Sequence, residues 1–271
     1  MAASITPGTP IWVDLASSDP EASKAFYTEL FGWEFEVGDP AFMGYTNALS
    51  LGKRVAGLGP NMGAEQGQPD AWSVYLATDD AAETARKVLA AGGTVLAEPM
   101  AIGDLGTMAV FVDSAGSVIG AWQSGLHTGF EVDSERDPEA TKAAITAGTE
   151  LPVHAVWFEN YTRDWAAASA FYPAVFGGSW TSMGDTDDFR YATFTVDGAE
   201  VAGQMDGSRF LPPGVPSHWG VYFSVPDTTA AFEKALTLGA TPIQEPADSP
   251  YGRIAALFDP TGAEFKLHQV I

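Results

Sequence analysis

Trp12-Val13-Asp14-Leu15-Ala16-Ser17-Ser18-Asp19-Pro20, followed by the run 21–31 and then Gly32, decides the reading of this chain. Residues 11–17 suit a short strand. Asp19 can accept hydrogen bonds from free backbone N–H groups as a helix N-cap, and Pro20 fits the first helical position. Ala22, Phe26 and Leu30 recur every four residues and give the helix one apolar face. Gly32 supplies a left-handed C-terminal stop. The same pattern returns at Trp157-Phe158-Glu159-Asn160-Tyr161-Thr162-Arg163-Asp164, with 165–176 and Gly177 behind it, at a constant offset of 145 residues. Phe26-Tyr27 returns as Phe171-Tyr172. Recurrence at a fixed spacing signals duplication.

Working outward, three short strands are expected after the first helix, at 33–37, 45–51 and 54–58. A polar turn over 61–70 then leads into the same order again: strand 72–78, a cap at Asp79 or Asp80, helix 81–91 closed by Gly92-Gly93, and strands 94–97, 108–113 and 118–123. Asp113-Ser114-Ala115-Gly116 reads as a tight turn. The segment 125–150 is polar and carries Glu131, Asp133, Glu135, Asp137 and Glu139, with apolar periodicity only near 140–147. It reads as a linker with one short helix. The second half repeats both patterns: strand 153–161, cap Asp164, a helix made irregular by Pro173, strands near 179–182, 191–196 and 201–205; then strand 218–225, cap Asp227, helix 228–238 stopped by Gly239, and strands 241–245, 253–259 and 264–269. Asp259-Pro260-Thr261-Gly262 matches Asp113-Ser114-Ala115-Gly116. The fold class is therefore α+β, with four βαβββ units in two halves: a first domain at 9–124, a linker at 125–150 and a second domain at 151–271.

Composition narrows the function. The chain has 271 residues, is 46% hydrophobic, carries a net charge of −22 and has no cysteine. An acidic surface repels phosphates, so nucleic acid is excluded as a partner. No apolar run approaches the roughly 20 residues a membrane span needs, and the first ten residues lack a secretory signal, so a cytoplasmic protein is expected. The absence of cysteine excludes disulfides, thiolate metal sites and cysteine nucleophiles.

Four such units, each with an Asp cap after its first strand, and an Asp-x-x-Gly turn before the last strand of the second and fourth, resemble the vicinal oxygen chelate superfamily. This is the glyoxalase, bleomycin-resistance and extradiol-dioxygenase group. The stretch Pro216-Ser217-His218-Trp219-Gly220-Val221-Tyr222-Phe223 and the paired Trp-x-Asp and Trp-x-Glu starts are similar to actinobacterial tandem glyoxalase-like proteins, some labelled hydroxylases. The resemblance implies two glyoxalase-like domains with curved mixed sheets, half-open barrels with the ligand inside. It also implies metal ligands (His, Gln or Glu) on the first and last strand of each unit in metal-using members. Seven residues before each capping Asp, however, stand Trp12, Ser73, Trp157 and Gly220, and seven after the turn Asp stand Gly120 and Lys266. Gln204 and Asp206 only lie close to an expected position. His154, His218 and His268 are out of register with these positions, and His127 falls in the linker and points to no site. No metal and no cofactor are expected.

Strand alternation extends the reading. Trp12 brings Asp14 to the same face, Trp157 brings Glu159 and Tyr161, Ser73 brings Tyr75, Gly220 brings Tyr222, Gly120 brings Trp122, and Lys266 brings His268. The opposite face carries Val13, Leu15, Val74, Leu76, Val221 and Phe223, which suits packing under helices. The inferred cavities have aromatic walls and one carboxylate per half. They suit a planar or cationic metabolite or antibiotic, unless Trp12 and Trp157 plug the barrels. The alternative is a glyoxalase-like or secondary-metabolism enzyme (lyase, isomerase or oxygenase) with Asp14 or Glu159 as base, or a metal at displaced ligands. The expected partner is a small-molecule ligand. With a pseudo-dimer already built into one chain, a monomer or weak homodimer is expected.

Overall fold

The computed structural model describes residues 5–37, 42–132, 138–186 and 188–270. Linker residues Asp133, Glu135 and Asp137 lie outside them. The first module is β1 (Pro10–Ser17), α1 (Pro20–Phe31), β2 (Glu34–Phe35), β3 (Thr46–Ser50) and β4 (Lys53–Pro60). The second is β5 (Ala71–Ala77), α2 (Ala81–Ala90), β6 (Thr94–Ile102), β7 (Gly106–Val112) and β8 (Val118–Ser124). The linker carries α3 (Pro138–Thr146). The third module is β9 (Ala155–Thr162), α4 (Trp165–Phe176), β10 (Ser179–Asp185), β11 (Arg190–Val196) and β12 (Ala199–Asp206). The fourth is β13 (His218–Ser224), α5 (Thr228–Thr237), β14 (Thr241–Ser249), β15 (Gly252–Phe258) and β16 (Glu264–Gln269).

These are the four βαβββ modules expected, in two eight-stranded mixed sheets. Their strand orders are β2-β3-β4-β1-β5-β8-β7-β6 and β10-β11-β12-β9-β13-β16-β15-β14. The local signals act as anticipated. Asp19, Asp80, Asp164 and Asp227 each accept the amide N–H three residues on, satisfying helix-start donors. Gly32 stops α1 at φ 70°. Two expectations need correction. Helix α4 runs unbroken through Pro173, whose missing N–H takes one bond from the preceding turn, at the Ser169 carbonyl, and leaves the rest of the helix intact. Strands β6 and β14 continue well past residues 97 and 245, through Pro99 and Pro246. Both are edge strands with two register shifts each, and an edge tolerates a proline that a central strand would reject.

Packing groups the modules differently from chain order. One compact unit comprises Met1–Trp12, Ser73–Gly129 and Trp157–Gly220; the other comprises Val13–Trp72, Phe130–Val156 and Val221–Ile271. In the first unit α2 packs on α4. Its centre is a buried polar knot. The Tyr172 hydroxyl donates to Asp113 Oδ2 (2.7 Å) and accepts from Trp219 Nε1 (2.8 Å) and Asn160 Nδ2 (2.8 Å). Asp113 Oδ1 accepts the amides of Ala115 (2.8 Å) and Ser117 (2.9 Å), closing the Asp-x-x-Gly turn. In the second unit α1 packs on α5. There the Tyr27 hydroxyl donates to Asp259 Oδ2 (3.0 Å) and accepts from Trp72 Nε1 (3.0 Å). Asp259 Oδ1 accepts the amides of Thr261 (2.9 Å) and Ala263 (3.0 Å). Burial, with the neighbouring carboxylate, holds both phenols protonated well above the usual tyrosine range. Rings of Phe31, Trp33, Phe223 and Phe265 close around Tyr27 and Trp72. The six apolar residues expected to pack under helices, Val13, Leu15, Val74, Leu76, Val221 and Phe223, are each buried.

His154, in the second unit, bonds the Pro152 carbonyl through Nδ1 (2.9 Å), while its buried Nε2 has no hydrogen-bond partner. Burial therefore pushes its pKa below the ordinary value of an imidazole. Its folded-state pKa lies below that of the unfolded chain, so the unfolded state binds the proton first. Stability is then lost as pH falls through about 6.5. Thermal unfolding followed from pH 7.5 to 5.5 is expected to show this loss in the wild type. His154→Phe should flatten that part of the curve, and an identical slope in both would refute the assignment.

Candidate functional site

Strand β9 shows the alternation clearly. Asn160 points into the Tyr172 knot, whereas Trp157, Glu159 and Tyr161 share the other face. Glu159 is only 5% exposed. The Tyr161 hydroxyl donates to its Oε2. Trp157 Nε1 donates to the Tyr191 hydroxyl at 3.1 Å. Glu159 stands opposite Gly203 and Tyr161 opposite Met205 across β9 and β12, and Met205 in turn opposes Tyr191 across β12 and β11. A Cβ on Gly203 would lie 2.1 Å from the Tyr191 oxygen, so glycine is what admits that ring.

The aromatic surface continues outward. Tyr161 stacks on His218 (5.4 Å, 22°) and meets Phe210 edge-on (5.9 Å, 87°), and Tyr191 stacks on Phe189 (6.0 Å, 26°). Phe189 and Phe210, with Met205, Arg190, Arg209 and Asp206, line a pocket of about 300 Å³. Phe189 and Phe210 are 45% and 52% exposed. Arg190 lies 5.6 Å from the Trp165 ring centroid and bonds Asp185 at 2.7 Å, with Asp206 at 3.7 Å. Arg163 fixes the loop that carries Phe210, donating to the carbonyls of Val215 (2.7 Å) and Leu211 (3.0 Å). All these residues belong to one compact unit.

The remaining sequence-predicted residues fall into smaller groups. Trp12 and Trp122, both buried, meet His127 edge-on, which corrects the view of that histidine as an uninvolved linker residue. Tyr75 is buried and covers Gly120, where a Cβ would come 2.3 Å from its ring. Ser73 is half-buried on the same strand. Asp14 is half-buried and accepts from the Tyr45 hydroxyl at 2.7 Å. Lys266, 6% exposed, lies 5.4 Å above the Tyr222 ring and bonds Glu264 at 2.5 Å. His268 Nε2 donates to the Tyr251 carbonyl at 2.8 Å.

These groups do not fit a divalent metal. The strand positions where a ligand was anticipated carry indoles, a serine, glycines and an ammonium, and a cation needs several oxygen or imidazole donors on one point. Among the described residues no three His, Asp or Glu side chains converge. Sequence reasoning missed Phe189, Tyr191 and Phe210 because they enter the site through strand register and a loop. Tyr191 alone carried a signal, as a large aromatic at the start of a strand.

Comparison with known proteins bears on the family and the fold. Residues 10–121 match the family described as Glyoxalase/Bleomycin resistance protein/Dioxygenase superfamily, and residues 155–268 match the Glyoxalase-like domain. The chain is 38% identical over 264 residues to the "Putative glyoxylase CFP32" of Mycobacterium tuberculosis, covering 96% of this chain and 94% of that protein. It is 37% identical over 275 residues to the anthracycline biosynthesis protein DnrV of Streptomyces peucetius, covering 96% and 93%. Among solved structures it is similar to the Mn(II)-bound glyoxalase from Novosphingobium aromaticivorans (TM-score 0.64, 18% identity, 98% of this chain and 83% of that one). It is also similar to the 2,3-dioxygenase LapB from Pseudomonas sp. KL28 (TM-score 0.62, 14% identity, 98% and 93%). At those identities the structures share the fold.

Proposed function

The chain belongs to the Glyoxalase/Bleomycin resistance protein/Dioxygenase superfamily, and on that premise we propose that it binds a planar aromatic or cationic small molecule without a metal. The site is the β9 face with its adjoining pocket. One observation carries the reading: a carboxylate, Glu159, sits buried among Trp157, Tyr161 and Tyr191 where those rings run out to Phe189 and Phe210. Rings stack on aromatic walls, and a cation over a desolvated ring gains about 0.5–2 kcal/mol. A buried carboxylate adds charge and direction. Relatives named for anthracycline biosynthesis, a chemistry of flat fused rings, point the same way.

Titration with proflavine, a flat aromatic cation, tests the reading by fluorescence. Trp157→Ala and Glu159→Gln are each expected to weaken binding by about tenfold, the equivalent of 1.4 kcal/mol. Unchanged affinity in both variants would refute it.

The Tyr161–Glu159 hydrogen bond supports a second reading, in which the carboxylate is a general base that the phenol orients. In that case Glu159→Gln abolishes proton exchange on a bound carbon acid while Trp157→Ala only weakens binding.

A further inference from the structure

The linker's first residues enter an aromatic recess. The His127 ring stands 4.5 Å from Trp12 at 87° and 5.4 Å from Trp122 at 70°. Trp122 Nε1 donates to the His127 carbonyl at 2.9 Å. The backbone leading in is tied down: the amides of Gly125 and His127 donate to the Leu105 carbonyl, and that of Leu126 to the Asp104 carbonyl. Gly129 leads out at φ +100°, so close to Ile11 that a Cβ would lie 2.5 Å from its carbonyl oxygen. That approach requires glycine. Every one of these residues lies in the same compact unit.

The duplicated tryptophan is treated differently. Trp12 is 4% exposed beneath the histidine, whereas Trp157 is half-buried and gives its indole N–H to Tyr191. An imidazole edge-on to two indoles is the geometry by which aromatic walls hold a flat ring, each such pair adding to simple burial. We infer that Trp12 and Trp122 form a second ring-binding recess, suited to a small nitrogen-bearing aromatic ring, which the chain keeps filled with its own His127 side chain. This inference stands apart from the β9 site and survives if that reading fails.

His127 is half-buried, so removing its side chain should open the recess to solvent and to a ring of matching size, held against Trp12 and Trp122. In His127→Ala, free imidazole is expected to raise the melting temperature by about 3 °C at ten times its Kd. The wild type should show no such response, and Trp12→Ala combined with His127→Ala should lose it. The response must persist in Trp157→Ala combined with His127→Ala, which separates it from the β9 site. A flat imidazole dependence in His127→Ala, or one abolished by Trp157→Ala, would overturn the inference. If His127→Ala does not fold alone, imidazole in the refolding buffer should restore the folded state by mass action, and no recovery is equally fatal.

Discussion

Asp113→Ala is expected to destabilise the protein by about 3–5 kcal/mol, because it leaves several buried donors without an acceptor at once. Asp113 is 4% exposed. Its Oδ2 takes the Tyr172 proton at 2.7 Å, and its Oδ1 takes the amides of Ala115 and Ser117. Each orphaned buried donor costs about 1–3 kcal/mol, and relaxation recovers part of the sum. Asp113→Asn keeps an acceptor at the turn and should cost roughly half as much, on the scale of one lost buried hydrogen bond to a charged group. Urea unfolding of both variants, with the transition midpoint as readout, decides the matter. A loss below about 1 kcal/mol for the alanine variant would mean that the knot is not a keystone. Asp259→Ala removes the same contacts around Tyr27 and should behave alike.

Trp33→Ala is expected to cost about 3–5 kcal/mol, the range for truncating a large buried aromatic. Trp33 is 1% exposed, stacked 5.6 Å from Tyr27 and tilted against Phe31 at 5.1 Å, and its Nε1 donates to the Val153 carbonyl at 2.9 Å. Trp33→Phe retains most of the packing and should recover more than half of the loss. If phenylalanine were as harmful as alanine, the Val153 hydrogen bond rather than the ring would dominate.

Much of the fold was legible because its signals are local. Caps at Asp19, Asp80, Asp164 and Asp227, apolar spacing and glycine stops act over a few residues, and all recur in both halves. The alternation on β9 was equally readable, since Glu159 and Asn160 must face opposite sides. What pairs across space was not. Asp113 and Asp259 read as turn residues, with no hint that each would anchor a tyrosine in another module. Gly120 read as a missing ligand, whereas the Tyr75 ring lies over it. His127 had no periodicity to announce it. Asp14, taken as a candidate base, proved to be bonded to Tyr45, a residue 31 positions away whose approach depends on Gly57 opposite.

The Tyr27–Asp259 bond joins residues 232 positions apart. Closing so long a loop sets its entropy against the contact that rewards it, which slows folding. During synthesis the first module would leave the ribosome long before its packing partner exists. Until then the apolar face of α1, with Phe31 and Trp33, stands exposed to aggregation. The module pair joined by Tyr172 and Asp113 spans only 59 positions and can close while the chain is still growing. Refolding should therefore be biphasic, with the unit holding the chain's last strand as the slow phase, and a C-terminal truncation should damage the first module more than the second.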